Sequence, residues 1–163
     1  MPFRIAPLPP STAARLREAA TVVRVADASP GYPCRACLRD AALGDELVLV
    51  SHDPFAGWDA AASSPYRSAS PIYLHRRDCA ADVDPDPVPD QLVRRRLSVR
   101  AFDERAMMLD GRVVDGVDLR ATLDELAAVP GVAKVFVHNA GPGCFAAAVE
   151  VVDGRSNPAQ RRR

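Results

Sequence analysis

The chain has 163 residues, 48% apolar and 26% charged, and its 21 basic and 21 acidic side chains cancel to a net charge of zero. That length suits one ordinary domain with its own core, and that balance excludes an intrinsically disordered chain. A net charge of zero also excludes a global field steering the protein toward nucleic acid or an anionic membrane. Lys134 is the only lysine, so arginine carries nearly all the positive charge. With the abundant alanine, this is the usage of a GC-rich genome, and arginine runs carry less functional weight for it.

No apolar stretch approaches the roughly 20 residues of a membrane-spanning helix. The opening MPFRIAPLPPSTAARLREAA lacks the apolar core of a signal peptide. Four cysteines without a secretion signal point to reduced thiols or a metal rather than a disulfide framework. The expected location is the cytoplasm.

In chain order, Phe3–Leu8 reads as a short strand ended by Pro9-Pro10. Ser11 is the expected N-cap of a helix over Ala13 to Ala20. Thr21–Ala26 (TVVRVA) is β-branched with alternation, hence a strand. Dense turn chemistry over residues 29–33 leads into Cys34-Arg-Ala-Cys37. Gly44-Asp45 breaks the chain before the strand Glu46–Ser51 (ELVLVS). Residues 52–70 form a long connection rich in Pro, Gly, Ser and Ala, and loops of that length inside a domain tend to carry function. Pro71–His75 (PIYLH) is the next strand, followed by a proline-rich loop over residues 80–90.

The second half is more regular. Strands are expected over Arg95–Phe102 and Ala106–Val114, with a turn at Asp110-Gly111 inside the latter. Asp115-Gly116-Val117-Asp118 opens a helix whose apolar positions Leu119, Leu123, Leu126 and Ala127 have helical spacing, and Pro130-Gly131 stops it. Val132–His138 and Cys144–Val152 are strands around a Gly141-Pro142-Gly143 turn. The expectation is α+β, a mainly antiparallel sheet with two short helices. A single domain would cover residues 1–152, with a disordered arginine-rich tail over residues 153–163. A Rossmann-type fold is excluded because no strand feeds a G-x-G-x-x-G into a helix.

Cys34 and Cys37 can turn two sulfurs toward one cation, and His75 and Cys79 add a nitrogen and a sulfur at the end of a predicted strand. Three thiolates and an imidazole are a donor mixture that zinc takes in tetrahedral geometry. Two alternatives remain: reduced cysteines packed in a core, or a redox pair at Cys34/Cys37, which would need a helix N-terminus to lower a thiol pKa. A zinc deaminase is excluded. Pro33-Cys34-Arg-Ala-Cys37 matches half of that signature, but no histidine precedes His52, and neither His52 nor His75 has Glu two residues later.

Tyr66, Arg67 and Ser70 in the long loop could converge on a carboxylate or phosphate. His138 and Cys144 flank a predicted hairpin turn, the arrangement from which a Cys–His nucleophile pair could arise. The glycines between them read as a turn and not a phosphate cradle, since no helix follows. The arginine runs 94–96 and 161–163 lack interleaved aromatics, so they read as a solvated face and a tail instead of a nucleic-acid surface.

PGYPCRACLRDA followed by GDELVLVSHDPF, then SPYRSASPIYLHRRDC, and finally FVHNAGPGCFAAAVE resemble the bacterial proteins grouped as domain of unknown function 1203. The resemblance implies that Cys34, Cys37, Tyr66, Arg67, His75, Cys79, His138 and Cys144 fall in family motifs, without assigning them roles. The combined expectation is a zinc site beside a polar loop pocket that takes a small anionic molecule or a partner segment, with no membrane or nucleic-acid partner. A small enzyme is the other open reading, using either an open metal site or the Cys144/His138 pair.

Overall fold

In the computed structural model, which describes residues 3–79 and 88–151, apolar alternation sorts the strands into two antiparallel sheets. The elements in chain order are β1 (Phe3–Ala6), α1 (Pro10–Glu18), β2 (Val22–Val25), β3 (Glu46–His52), β4 (Ser70–His75), α2 (Asp90–Val93), β5 (Arg96–Phe102), β6 (Met108–Asp115), α3 (Leu119–Ala127), β7 (Lys134–Asn139) and β8 (Phe145–Val151). Five strands form one sheet in the order β1-β8-β7-β5-β6, and three form the other in the order β2-β3-β4. Segment 80–87 of the proline-rich loop and the tail 153–163 lie outside the described residues. None of the helices is long and apolar enough to cross a membrane.

The larger sheet is covered on both faces, and the strand period of two explains how. In β5, Leu97, Val99 and Ala101 share a face; in β7, Val135 and Val137 do, with Val99 opposite Val137. These residues pack with Leu119, Leu123 and Leu126 of α3 in one buried cluster. The intervening residues Phe102 and Phe136 belong to a second cluster, with Phe145, Val48, Ile72, Leu74 and the side chains of Cys34 and Cys37. The five-stranded sheet is thus a middle layer, with α3 on one side and the smaller sheet and its loops on the other. Each fully buried Leu or Val contributes about 1.5–3 kcal/mol relative to exposure.

Several local details differ from the sequence expectations. Ser11 is not the N-cap: the cap position is Pro9, with no side-chain cap bond, and Pro10 starts the helix. Proline suits that first position because its φ is preset and its missing N–H would have been unpaired anyway. Asp110-Gly111 is not a turn either; both residues lie inside β6, paired with Ala101 and Arg100. The hairpin reverses earlier, where Asp103 Oδ1 accepts the N–H groups of Arg105 and Met107, each at 2.9 Å. Ala106 there takes a left-handed φ of 60°. The one-turn helix α2 has no counterpart in the expected elements.

Residues 116–118 form a short 3₁₀ turn that leads into α3 and lies against α2. A Cβ on Gly116 would stand 1.9 Å from the Leu92 carbonyl oxygen and 2.6 Å from that of Val93. Backbone on the far side cannot rotate away as a side chain can. Gly116→Ala is therefore expected to cost more than about 2 kcal/mol in a denaturant titration. Gly141→Ala, with nothing within 4 Å of the new carbon, should change stability by less than about 0.5 kcal/mol.

Candidate functional site

The four metal-type donors that stand far apart in sequence meet in space. The loop between β2 and β3 lays Pro33 against Asp40 and Cys34 against Tyr73 of β4, through Cys34 N–H to Arg39 O (3.0 Å) and Arg35 N–H to Tyr73 O (3.1 Å). Leu38, at φ 52°, reverses the chain just after Cys37. A left-handed leucine is strained by about 1 kcal/mol or more; its side chain is 2% exposed within the α3-side core, which holds it in place. His75 ends β4, and Cys79 follows four residues on.

The ligating atoms of Cys34, Cys37, His75 and Cys79 all lie within 4.8 Å of one another, an arrangement able to hold a metal ion. Cys34 Sγ is 3.7 Å from Cys79 Sγ, and Cys37 Sγ is 3.6 Å from His75 Nδ1. All four cysteines of the chain are free thiols. Each sulfur in the cluster faces a donor. Cys34 Sγ accepts the His75 N–H at 3.3 Å, Cys37 faces the backbone N–H of Arg39, and Cys79 Sγ accepts Arg17 Nη2 at 3.3 Å. Arg17 reaches there from α1, also donating Nε to the His75 carbonyl at 2.8 Å. His75 Nε2 lies 3.3 Å from an Asp45 carboxylate oxygen, so Nδ1 is left to face the sulfurs.

The three thiols act on one another's protonation. Hydrogen bonds from Cys37 and then Cys79 drive the Cys34 thiol far below the ordinary range. Cys37 and Cys79 are pushed far up, in each case first by the hydrogen bond to Cys34 and then by burial. Thiol protons that compete in this way are those a bound cation would displace. His75 is raised, chiefly by its hydrogen bond with Cys34. Cys34 and Cys37 lie in a turn and not at a helix N-terminus, so the feature a redox pair would have needed is missing.

The other sequence candidates do not gather in the same way. Arg67 Nε is paired with Asp53 at 2.7 Å, the Ser70 hydroxyl accepts the Phe145 N–H at 3.0 Å, and the exposed Tyr66 ring sets its edge to Phe102. Ser70 thereby ties β4 to β8. The largest cavity described, about 680 Å³, is bounded instead by α1, the end of β3 and the larger sheet, with Arg15, His52 and Lys134 on its walls. His138 Nδ1 lies 3.0 Å from the Gly143 carbonyl oxygen, and the Cys144 sulfur is turned to the Pro142 carbonyl at 3.8 Å. Among the described residues no hydrogen bond joins His138 to Cys144. Three residues of the site escaped sequence reasoning: Arg17, Asp45 and Arg35. Only Arg35 carried a local signal, its place inside the Cys-x-x-Cys run.

Burial pushes His138 down to about 4 from an ordinary value near 6.5. A depressed histidine contributes stability above its unfolded pKa and loses it as pH falls, because the unfolded chain takes up the proton first. Relative to His138→Gln, the wild type should lose up to about 3 kcal/mol between about pH 6.5 and about pH 4. Denaturant titrations across that window measure it, and parallel curves for the two proteins would contradict a buried neutral imidazole.

No curated protein and no solved structure matches this chain significantly. Residues 31–151 match the family described as "Protein of unknown function (DUF1203)". That span runs through both sheets and contains all four clustered donors, and over it the chain belongs to this family.

Proposed function

We propose that this is a zinc-stapled α+β domain, single over residues 1–152, whose task is to bind a small ligand or partner segment, with Cys34, Cys37, His75 and Cys79 as the zinc ligands. One observation carries the reading. Zinc with sulfur at about 2.3 Å and nitrogen at about 2.0 Å sets tetrahedral edges of roughly 3.8 Å between sulfurs and roughly 3.5 Å between sulfur and nitrogen. The separations of 3.7 Å and 3.6 Å agree with two of those six edges, and all four donor atoms lie within 4.8 Å of one another.

The groups that touch the four donors support the same reading. A divalent ion on three thiolates and a neutral imidazole leaves one net negative charge, and the Arg17 guanidinium beside Cys79 offsets it. The Asp45 carboxylate on His75 Nε2 fixes the tautomer that presents a lone pair at Nδ1. Four protein donors fill a tetrahedral sphere, so the zinc is structural and leaves no position for water or substrate. The enzyme reading through an open metal loses its support on that ground, and the alternative through Cys144 lacks the histidine contact it needs. Reduced thiols on a metal suit a reducing compartment, so a cytoplasmic location belongs to the same reading.

Elemental analysis with native mass spectrometry should find one zinc per chain in wild type and none in Cys34→Ser, with a clear drop in melting temperature. Wild-type protein prepared without chelators and found free of metal would overturn the reading. Asp45→Asn should keep the fold and weaken zinc by about 10- to 100-fold in competition with a chromophoric chelator. Unchanged affinity would show that Asp45 does not orient the imidazole.

A further inference from the structure

In the Cys34-Arg35-Ala36-Cys37 turn the cysteines face the ligand cluster, while Arg35 runs the other way into the protein. It is 2% exposed. Its Nε donates to the Phe145 carbonyl at 2.8 Å and its Nη1 to the Pro33 carbonyl. No carboxylate pairs with it among the described residues. Asp40, the nearby acid, has both oxygens on Arg95, at 2.5 and 3.0 Å. A guanidinium keeps its charge at neutral pH. A buried cation without a counter-charge is costly, and such groups are kept where an anion completes them.

Arg35 lines a cavity of about 490 Å³ between its own loop, β3 and β4, and the turn joining β7 to β8. Arg95, Arg96, Tyr73, Asn139 and Cys144 share the wall, which among the described residues has three arginines and no carboxylate. Arg96 is at the surface, 3.9 Å from an exposed Asp115. Asn139 Oδ1 is buried without a hydrogen-bond partner, and a carboxamide can turn over to present its NH2 as a donor. The volume falls within the range of organic-ligand sites and exceeds what an inorganic ion needs. Tyr73 supplies an aromatic surface for the remainder of such a ligand.

We propose that this cavity binds a small organic anion, its carboxylate or phosphate head paired with Arg35 and its apolar body against Tyr73. The planar guanidinium suits either head group. Arg96 at the mouth raises the local anion concentration. Cys144, a half-buried free thiol, lines the same cavity, which places a chemical reporter in the wall. The site does not depend on which metal the cluster takes.

The test is calorimetric titration of phenyl phosphate, benzoate and neutral benzyl alcohol into wild type, Arg96→Gln and Arg35→Met, with zinc measured in each preparation. At least one anion should bind one-to-one with a Kd below about 1 mM, and the alcohol should not. Binding of phenyl phosphate alone would mark a phosphate-monoester site, and of benzoate alone a carboxylate site. Arg96→Gln should weaken binding a few-fold and Arg35→Met by about tenfold or more. Arg35→Met also removes two structural hydrogen bonds, so a second readout uses wild type alone. The bound anion should slow iodoacetamide alkylation of Cys144, followed by peptide mass spectrometry. Neither anion binding at about 10 mM to zinc-loaded wild type, unchanged affinity in folded Arg35→Met, or unaltered Cys144 alkylation would overturn the proposal while leaving the zinc reading intact.

Discussion

Three sulfurs and an imidazole within 4.8 Å of one another form the junction on which the smaller half of the molecule depends. The loop after β2, the end of β4 and helix α1 all reach it. A three-stranded sheet needs a hydrophobic face or a packed helix to be stable, and this one has an edge strand, β2, whose residues are mostly exposed. What its strands lack in burial is made up at their ends. Arg17 of α1 holds the His75 carbonyl and the Cys79 sulfur, and Asp45, just before β3, holds the His75 ring. Removing the attraction that gathers the thiols would leave several loops and a helix without a common anchor.

The same turn also joins the two halves. Because its cysteines face one side, Arg35 is driven to the other, where it donates to Phe145 at the start of β8. Ser70 reinforces the joint from β4 by accepting the Phe145 N–H. The aromatic cluster of Phe55, Phe102, Phe136 and Phe145 fills the space between, with edge-to-face contacts near 5–6 Å. The middle sheet accordingly has two different jobs on its two faces. One face packs against α3 through branched aliphatics, and the other, through larger rings, supports the loops that carry the polar chemistry.

That division explains how a chain with an ordinary composition concentrates its unusual features in one region. Among the described residues, Arg35 is a buried guanidinium without a carboxylate partner and Asn139 has an unpartnered carboxamide oxygen, while Cys34 is a fully buried thiol. All three lie near the meeting of the two sheets, while the α3 side of the middle sheet is packed by aliphatic side chains. Cores tolerate polar groups where something completes them. On one side of the turn the sulfurs stand where a metal ion could complete them, and the arginine-lined cavity is the corresponding opening on the other.

Much of this was legible in the residues. The α+β class followed from alternation in ELVLVS, PIYLH and VAKVFVH and from helical spacing at Leu119, Leu123 and Leu126. The donor set followed from residue type and spacing, because thiols and an imidazole at turn and strand ends are uncommon without a reason. What stayed hidden were contacts across long sequence separations. Arg17 lies 58 residues from His75 and 62 from Cys79, and nothing local distinguishes it from the many other arginines. The polar loop of Tyr66, Arg67 and Ser70 looked like a pocket because of its composition, yet its side chains found separate neighbours once the sheets were packed. Sequence alone determined most of the strands, the two longer helices and which side chains offer metal-type donors, since these follow from local periodicity and residue type. Tertiary structure alone decided that the four donors converge, that Arg35 is buried with no carboxylate partner among the described residues, and that His138 and Cys144 are turned to separate carbonyls. Those outcomes depend on strand order and register, which bring distant residues together through packing that no local pattern encodes.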